Sequence, residues 1–388
     1  MSSQLVPHAT PAASTGLPHV LVPGRYDAVL LAGFGGPEGQ DDVLPFLRRV
    51  TRGRNIPDER LEEVAQHYRR FDGVSPINAQ NRALRAALQD ELHSRGLSLP
   101  VYWGNRNWKP FLTDALTQAA DDGHTNLLAF ATSAYSSYSG CRQYREDLAE
   151  ALEQADLAGR VQVDKIRQFF DLPGFVTTFA EGLRETLQEL RTSGVPASAV
   201  RVLFSTHSIP LQHAENSGPP DAGSGPGGAY VAQHRAVAAR IMDDLGELTQ
   251  PVTWELVYQS RSGPPPQPWL EPDICDRIAE LPGEGAEALV IVPLGFVSDH
   301  MEVLWDLDNE ALAAAGAAGL RAVRVPTPGT HPAFVAGIAD LIEERLHGED
   351  PGRRGSLTPL GPWYDVCRPG CCLKASAPVR PAVAGLAP

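Results

Sequence analysis

The chain has 388 residues, 43% hydrophobic and 21% charged, with 33 Lys and Arg against 47 Asp and Glu for a net charge of −14. That length exceeds one typical core and fits about two domains of a globular enzyme. The acidic balance excludes nucleic acid or an anionic membrane as the main partner, because both require a basic face, and no apolar run reaches the roughly 18 residues of a transmembrane anchor.

Residues 1–25 are rich in Pro, Ala, Ser and Thr and carry no Lys or Arg before Arg25. They lack the charged and apolar regions of a signal peptide and read as a disordered leader. Tyr26–Phe34 is a buried first strand ending in Gly35-Gly36-Pro37. Helices follow over Asp41–Arg49, Asp58–Phe71 and Asn78–Arg95. Strand Leu99–Gly104, helix Pro110–Asp121, strand Thr125–Thr132, a polar-aromatic loop Ser133–Gly140 and helix Cys141–Ala158 complete the first half. The second half repeats the alternation. Helix Leu172–Ser193 and strand Ala199–Ser205 come first, then helix Tyr230–Leu245, strand Val252–Gln259, helix Pro272–Leu281 and strand Ala288–Pro293. A helix from Met301, strand Arg321–Val325 and helix Pro332–Leu346 close it. This pattern predicts an α/β chain of two similar doubly wound, parallel-sheet domains. The expected division is 26–160 and 161–330, with a linker near 156–163, a segment 331–372 returning to the first domain, and a disordered tail 373–388. Asn216–Gly228 (NSGPPDAGSGPGG) reads as a flexible insertion. Neither its glycines nor Gly33-Phe34-Gly35-Gly36 has phosphate-loop spacing.

The richest segment is Pro293–Ala311, PLGFVSDHMEVLWDLDNEA. An apolar strand ends in Ser298-Asp299-His300, and the helix that follows carries Glu302, Asp306 and Glu310 at steps of four, on one face. Three stacked carboxylates repel one another unless a cation sits among them, and the segment contains no Lys or Arg. VLFSTHSIP has the same form, an apolar run and then a turn holding His207. Together they suggest metal handling coupled to proton transfer. The plainer readings are a turn-capping His207 and an Asp299-x-x-Glu302 capping box, which leave Asp306 and Glu310 unexplained.

The chain resembles the ferrochelatase family from about Tyr26 to His347. The resemblance rests on GFGGPE (33–38), FDGVSPINAQN (71–81), YWGNRNWKPF (102–111), SAYSSYSGCRQY (133–144), LFSTHSIP (203–210), YQSRSGPPPQPWL (258–270) and GFVSDHMEVLWDLDNE (295–310), in that order. It implies two Rossmann-like domains, each with a parallel four-stranded sheet, and a porphyrin cleft between them. The implied reaction is insertion of Fe²⁺ as substrate into a porphyrin with release of two protons. It assigns His207 as base and metal ligand and Glu302 as its acidic partner, with Asp306 and Glu310 extending the metal row. The residue types suit those roles: neutral imidazole is a competent base near pH 7, and carboxylates hold a hard divalent ion weakly enough to release it. Ser75 and Tyr144 correspond to porphyrin contacts, and Tyr68, Arg52 and Arg106 are candidate propionate partners, the arginines otherwise reading as solvated surface charge. Tyr135, Tyr138 and Trp305 read as ring-stacking or core residues. Phe34 stands where some bacterial relatives carry a Tyr that ligates product iron, so axial coordination from this position is excluded.

There are five cysteines, an odd and unevenly spaced set that fits a reducing, cytoplasmic setting better than a disulfide framework. Cys367, Cys371 and Cys372 lie within six residues, and thiols so close bind a metal or are redox-active. The resemblance adds Cys141 as fourth ligand of a [2Fe–2S] cluster; zinc and free thiols are the alternatives, and Cys275 reads as a buried structural residue. The expected function is a monomeric coproporphyrin III ferrochelatase. A protoporphyrin IX enzyme, a non-catalytic porphyrin or haem carrier with a redox-sensing cluster, and a cobalt- or nickel-inserting relative are the other readings.

Overall fold

The computed structural model describes residues 24–53, 56–262, 266–348, 354–375 and 377–385. The expected leader 1–25 lies almost wholly outside them. The first half contains β1 (Ala28–Gly33), α1 (Gln40–Val50), α2 (Asp58–Arg69), α3 (Ile77–Ser94), β2 (Val101–Asn105), α4 (Leu112–Asp121), β3 (Asn126–Ala131), α5 (Gln143–Gln154) and β4 (Gln162–Lys165). The second half contains α6 (Pro173–Thr192), β5 (Val200–His207), α7 (Leu211–Glu215), α8 (Gly228–Leu245), β6 (Thr253–Gln259), α9 (Ile274–Glu280), β7 (Ala288–Val292), α10 (Leu312–Ala317), β8 (Arg321–Arg324) and α11 (Pro332–His347).

Two four-stranded parallel sheets result, ordered β2-β1-β3-β4 and β6-β5-β7-β8. The order is the same in both, as the repeated pattern predicts. Central strands β1 and β7 are buried along their whole length, because helices cover both faces of a parallel sheet. In each sheet the connections diverge between the first and third strands of the set. A crevice therefore opens beyond the carboxyl ends of β1 and β3, and another beyond β5 and β7, where ligands of doubly wound folds bind.

One apolar core runs through both halves. Phe130 of β3 stacks on Phe169 at 4.8 Å, and Phe175 of α6 meets Phe334 of α11 at 5.7 Å. Helix α11 packs on α6 and on α3 of the first half.

Three local expectations change. The span 156–163 is not all linker: β4 pairs Gln162 with Asn126 and continues to Lys165 with Ala129, extending the first sheet past residue 160. Its sequence, QVDK, hides the strand because buried Asp164 and Lys165 take polar partners instead of an apolar layer. The tail is not disordered over 377–385. Val383 exchanges hydrogen bonds with Arg145, and Val383 and Ala384 complete the apolar layer on α5. Within the Gly-rich insertion, Ser217 and Gly218 are buried against the start of α8.

Candidate active site

His207 is the last residue of β5, and Glu302 lies just beyond the carboxyl end of β7. The crevice of the second sheet brings His207 Nε2 to 3.6 Å from Glu302 Oε1. His207 Nδ1 donates to the Ser208 carbonyl, which fixes the tautomer and leaves Nε2 for exchange. From Val303 to Ala311 the backbone is a π-helix, not the α-helix expected. Its i→i+5 turn is wide and marks functional segments; here Trp305 Nε1 reaches Glu310 Oε1 at 2.9 Å, five residues on. The acidic row therefore persists, running from half-exposed Glu302 through Asp306 to exposed Glu310.

The remaining acids of the segment are neutralised from outside it. Arg324 of β8 pairs with Asp308 and Asp299, and Thr327 also donates to Asp299. Asp299 therefore forms no capping box. No arginine or lysine pairs with Glu302, Asp306 or Glu310 among the described residues. Gln259, the last residue of β6, donates to the Glu302 carbonyl at 2.9 Å, and Ser260 donates to Asp306. Neither residue stands out in the sequence, because each acts through strand-end placement.

The His207 and Glu302 side chains retain 32% and 48% exposure. Burial alone pushes His207 down, but Glu302, the Ser208 carbonyl and Asp306 pull it up to about 8. Burial pushes Glu302 up, and His207 and His300 outweigh it, bringing it to about 2. Burial and the Glu302 charge raise Asp306 to about 7. The contact thus favours imidazolium beside carboxylate, where the sequence suggested a neutral imidazole. A dication arriving at the row opposes the carboxylate field and favours loss of that proton.

Helix α2 forms the opposite wall. His67 stacks on Trp305 at 3.9 Å and 7°, and Arg70 lies over the same indole at 5.1 Å. Tyr68 is buried, and its phenol is raised by that burial and by Glu302 and Asp306; it therefore senses the acidic row. Ser75 is buried under the turn after β1, where a Cβ on Gly36 would come within 2.7 Å of its own Cβ. Phe34 remains 37% exposed in that turn. Arg106 lies over Tyr144 at 4.5 Å and over Phe34 at 5.8 Å, but its charge is committed to Asp147 at 2.6 Å and its side chain is buried. Tyr144 is buried beneath it. Arg52 is exposed just past α1. The porphyrin candidates thus separate into the carboxyl end of the first sheet, near Phe34, and the Tyr68 side of the acidic row. Tyr135 is buried core, stacked on His234 at 3.5 Å.

The four proposed cluster cysteines converge although Cys141 is more than two hundred residues from the rest. Cys141, Cys371 and Cys372 are buried together with Cys367 against them. Cys371 and Cys372 sulfurs are 3.8 Å apart, and Gly218 N donates to Cys372 Sγ at 3.1 Å. Hydrogen bonds from the Cys141 and Cys371 thiols, backed by Arg145 and Lys165, hold Cys367 well below the ordinary thiol value. Cys275 is half-buried on α9 and apart from them. Among the described residues, no three His, Cys, Asp or Glu side chains form a cage for a single metal ion.

The ferrochelatase family profile matches residues 26–346. The chain belongs to the ferrochelatase family. It is 64% identical to a coproporphyrin III ferrochelatase of Leifsonia xyli, over 98% of this chain and 99% of that one. It is 57% identical to a coproporphyrin III ferrochelatase of Tropheryma whipplei (94% and 93% covered) and 54% identical to one of Streptomyces griseus (94% and 97%). Among solved structures it is similar to a multi-domain Deinococcus radiodurans protein with structural similarity to chelatases. That likeness, 17% identity and TM-score 0.49 over 86% of this chain and 57% of that one, is too remote to bear on the site.

Proposed function

We propose that this ferrochelatase inserts Fe²⁺ into coproporphyrin III, giving Fe-coproporphyrin III (coprohaem) and two protons in haem biosynthesis. The supporting observation is the His207–Glu302 contact at the end of an acidic row that no described arginine or lysine pairs with. His207 Nε2, once neutral, accepts a pyrrole proton, and Glu302 stabilises the imidazolium that forms. Asp306, raised toward neutrality, exchanges a proton for metal along the row. Glu310 is the outermost carboxylate of the row, held by Trp305. Ser75 and Tyr144 near Phe34, with Arg52 and Tyr68, are the proposed porphyrin contacts, whereas Arg106 is held by Asp147; coproporphyrin III with four propionates suits such donors. No described helix is long and apolar enough to cross a membrane, and the proposed working form is a cytoplasmic monomer. Anaerobic turnover with Fe²⁺ and either coproporphyrin III or protoporphyrin IX tests the reading. Preference for coproporphyrin III is expected; equal rates would remove the choice, and no insertion into either would reject the function.

Cys141, Cys367, Cys371 and Cys372 would hold a [2Fe–2S] cluster. An all-sulfur donor set beside buried Arg145 and Lys165, with a backbone N–H aimed at one sulfur, suits an anionic iron–sulfur group. Bound there, the group supplies one-electron chemistry and a staple between the C-terminal segment and the first half. Anaerobically purified protein is expected to show visible absorption that Cys372→Ser abolishes. Colourless protein with stoichiometric zinc would reject the cluster.

A further inference from the structure

We propose that Tyr230 is a positioning residue for His207 in metal insertion. This rests on the function proposed above. Tyr230 lies in the first turn of α8 and is buried. Its hydroxyl is 2.8 Å from the His207 carbonyl and 2.8 Å from Thr206 Oγ1. A carbonyl only accepts, so the single phenolic proton goes to His207. Thr206 must then donate to the Tyr230 oxygen. The hydroxyl thereby joins the last two residues of β5 to α8, directly behind the reacting imidazole.

The phenol is itself held at several points. Its backbone N–H donates to Ser217 Oγ at 2.8 Å, and its ring meets the His234 ring edge-on at 4.5 Å. Ser217 precedes Gly218, whose N–H reaches Cys372. One turn further on, fully buried Gln233 bonds Ser136 through both ends of its amide. Helix α8 is thus pinned on the sides of both Cys372 and Cys141, and Tyr230 carries that rigidity to β5. His207 Nδ1 is bound to the very next carbonyl, so a shift of the strand-end backbone displaces Nε2 from Glu302. Misplacement by about 1 Å costs about a hundredfold in rate; loss of one of several restraints should cost less.

Tyr230→Phe keeps the ring and deletes only the proton. Its kcat for iron insertion is expected to fall about tenfold, with KM for porphyrin and for Fe²⁺ within about twofold of wild type. Thr206→Val removes the other bond of the same hydroxyl but spares the one to His207, so its kcat is expected to fall less than that of Tyr230→Phe, with both KM values again within about twofold of wild type. An unchanged kcat in Tyr230→Phe, or a parallel rise in both KM values, would overturn the proposal. If Tyr230→Phe fails to fold, site-specific 3-fluorotyrosine at 230 keeps shape and hydroxyl while altering donor strength. It must change kcat without changing KM, and no change overturns the proposal. Wild-type protein that inserts no iron would defeat the proposed function instead.

Discussion

His207→Ala is expected to lower kcat for iron insertion by about 10²–10⁴-fold, the range for loss of a positioned general base, with porphyrin binding retained. The wild-type pH profile is the sharper test. Since Glu302 and Asp306 hold His207 protonated up to about 8, kcat/KM should rise with pH to a plateau above that value. The variant should lose this limb. Glu302→Gln keeps the shape but removes the carboxylate field. The depressing effect of burial on His207 then prevails, and the limb should move to the acid side of the ordinary histidine value of about 6.5. Its kcat should nevertheless fall, because the imidazolium formed in the reaction loses its partner. An His207→Ala enzyme with wild-type kcat and an intact limb would remove His207 from the chemistry. Loss of porphyrin binding in step with activity would assign it to the cleft wall.

Arg345→Met should destabilise the fold by about 3–5 kcal/mol, the cost of leaving buried charge unpaired. Arg345 lies 2% exposed in α11, 3.6 Å from Asp164 of β4 and 3.7 Å from Asp365, with the Tyr26 hydroxyl accepting from it. Arg354 pairs with Asp365 and Glu344, and Arg167 also pairs with Glu344. Three arginines thus balance three carboxylates in the interior. They tie the returning helix and the residues before the cysteine segment to the first sheet. Methionine fills similar space but leaves a net negative charge there. Urea unfolding should show the loss as a lower midpoint. Adding Asp164→Asn should restore part of it, because the pair is coupled. A single variant within 1 kcal/mol of wild type would mean that water, not Arg345, compensates these carboxylates.

The site was unevenly legible in the sequence. His207 and the Glu302–Asp306–Glu310 row stand out because apolar strand runs end at them and no basic residue interrupts the row. The three C-terminal thiols stand out by proximity, and Cys141 entered only through resemblance. Arg106, by contrast, reads as a propionate clamp, yet its guanidinium is held by Asp147, forty-one residues on. Gln259 and Tyr230 gave no signal, since each acts through one hydrogen bond to a distant backbone carbonyl. Strand β4 was hidden for a related reason: its burial is polar, and period-two apolar alternation cannot report it.

The order of strands and helices, the two polar strand ends and the acidic face of residues 302–310 are local properties, written in apolar periodicity and side-chain type. Which acids stay uncompensated was decided only in three dimensions, where Arg324 neutralises Asp299 and Asp308 and leaves the row bare. The protonation of His207 was decided there as well. It depends on a carboxylate nearly a hundred residues away in the chain and 3.6 Å away in space, and Coulomb energy follows the second distance.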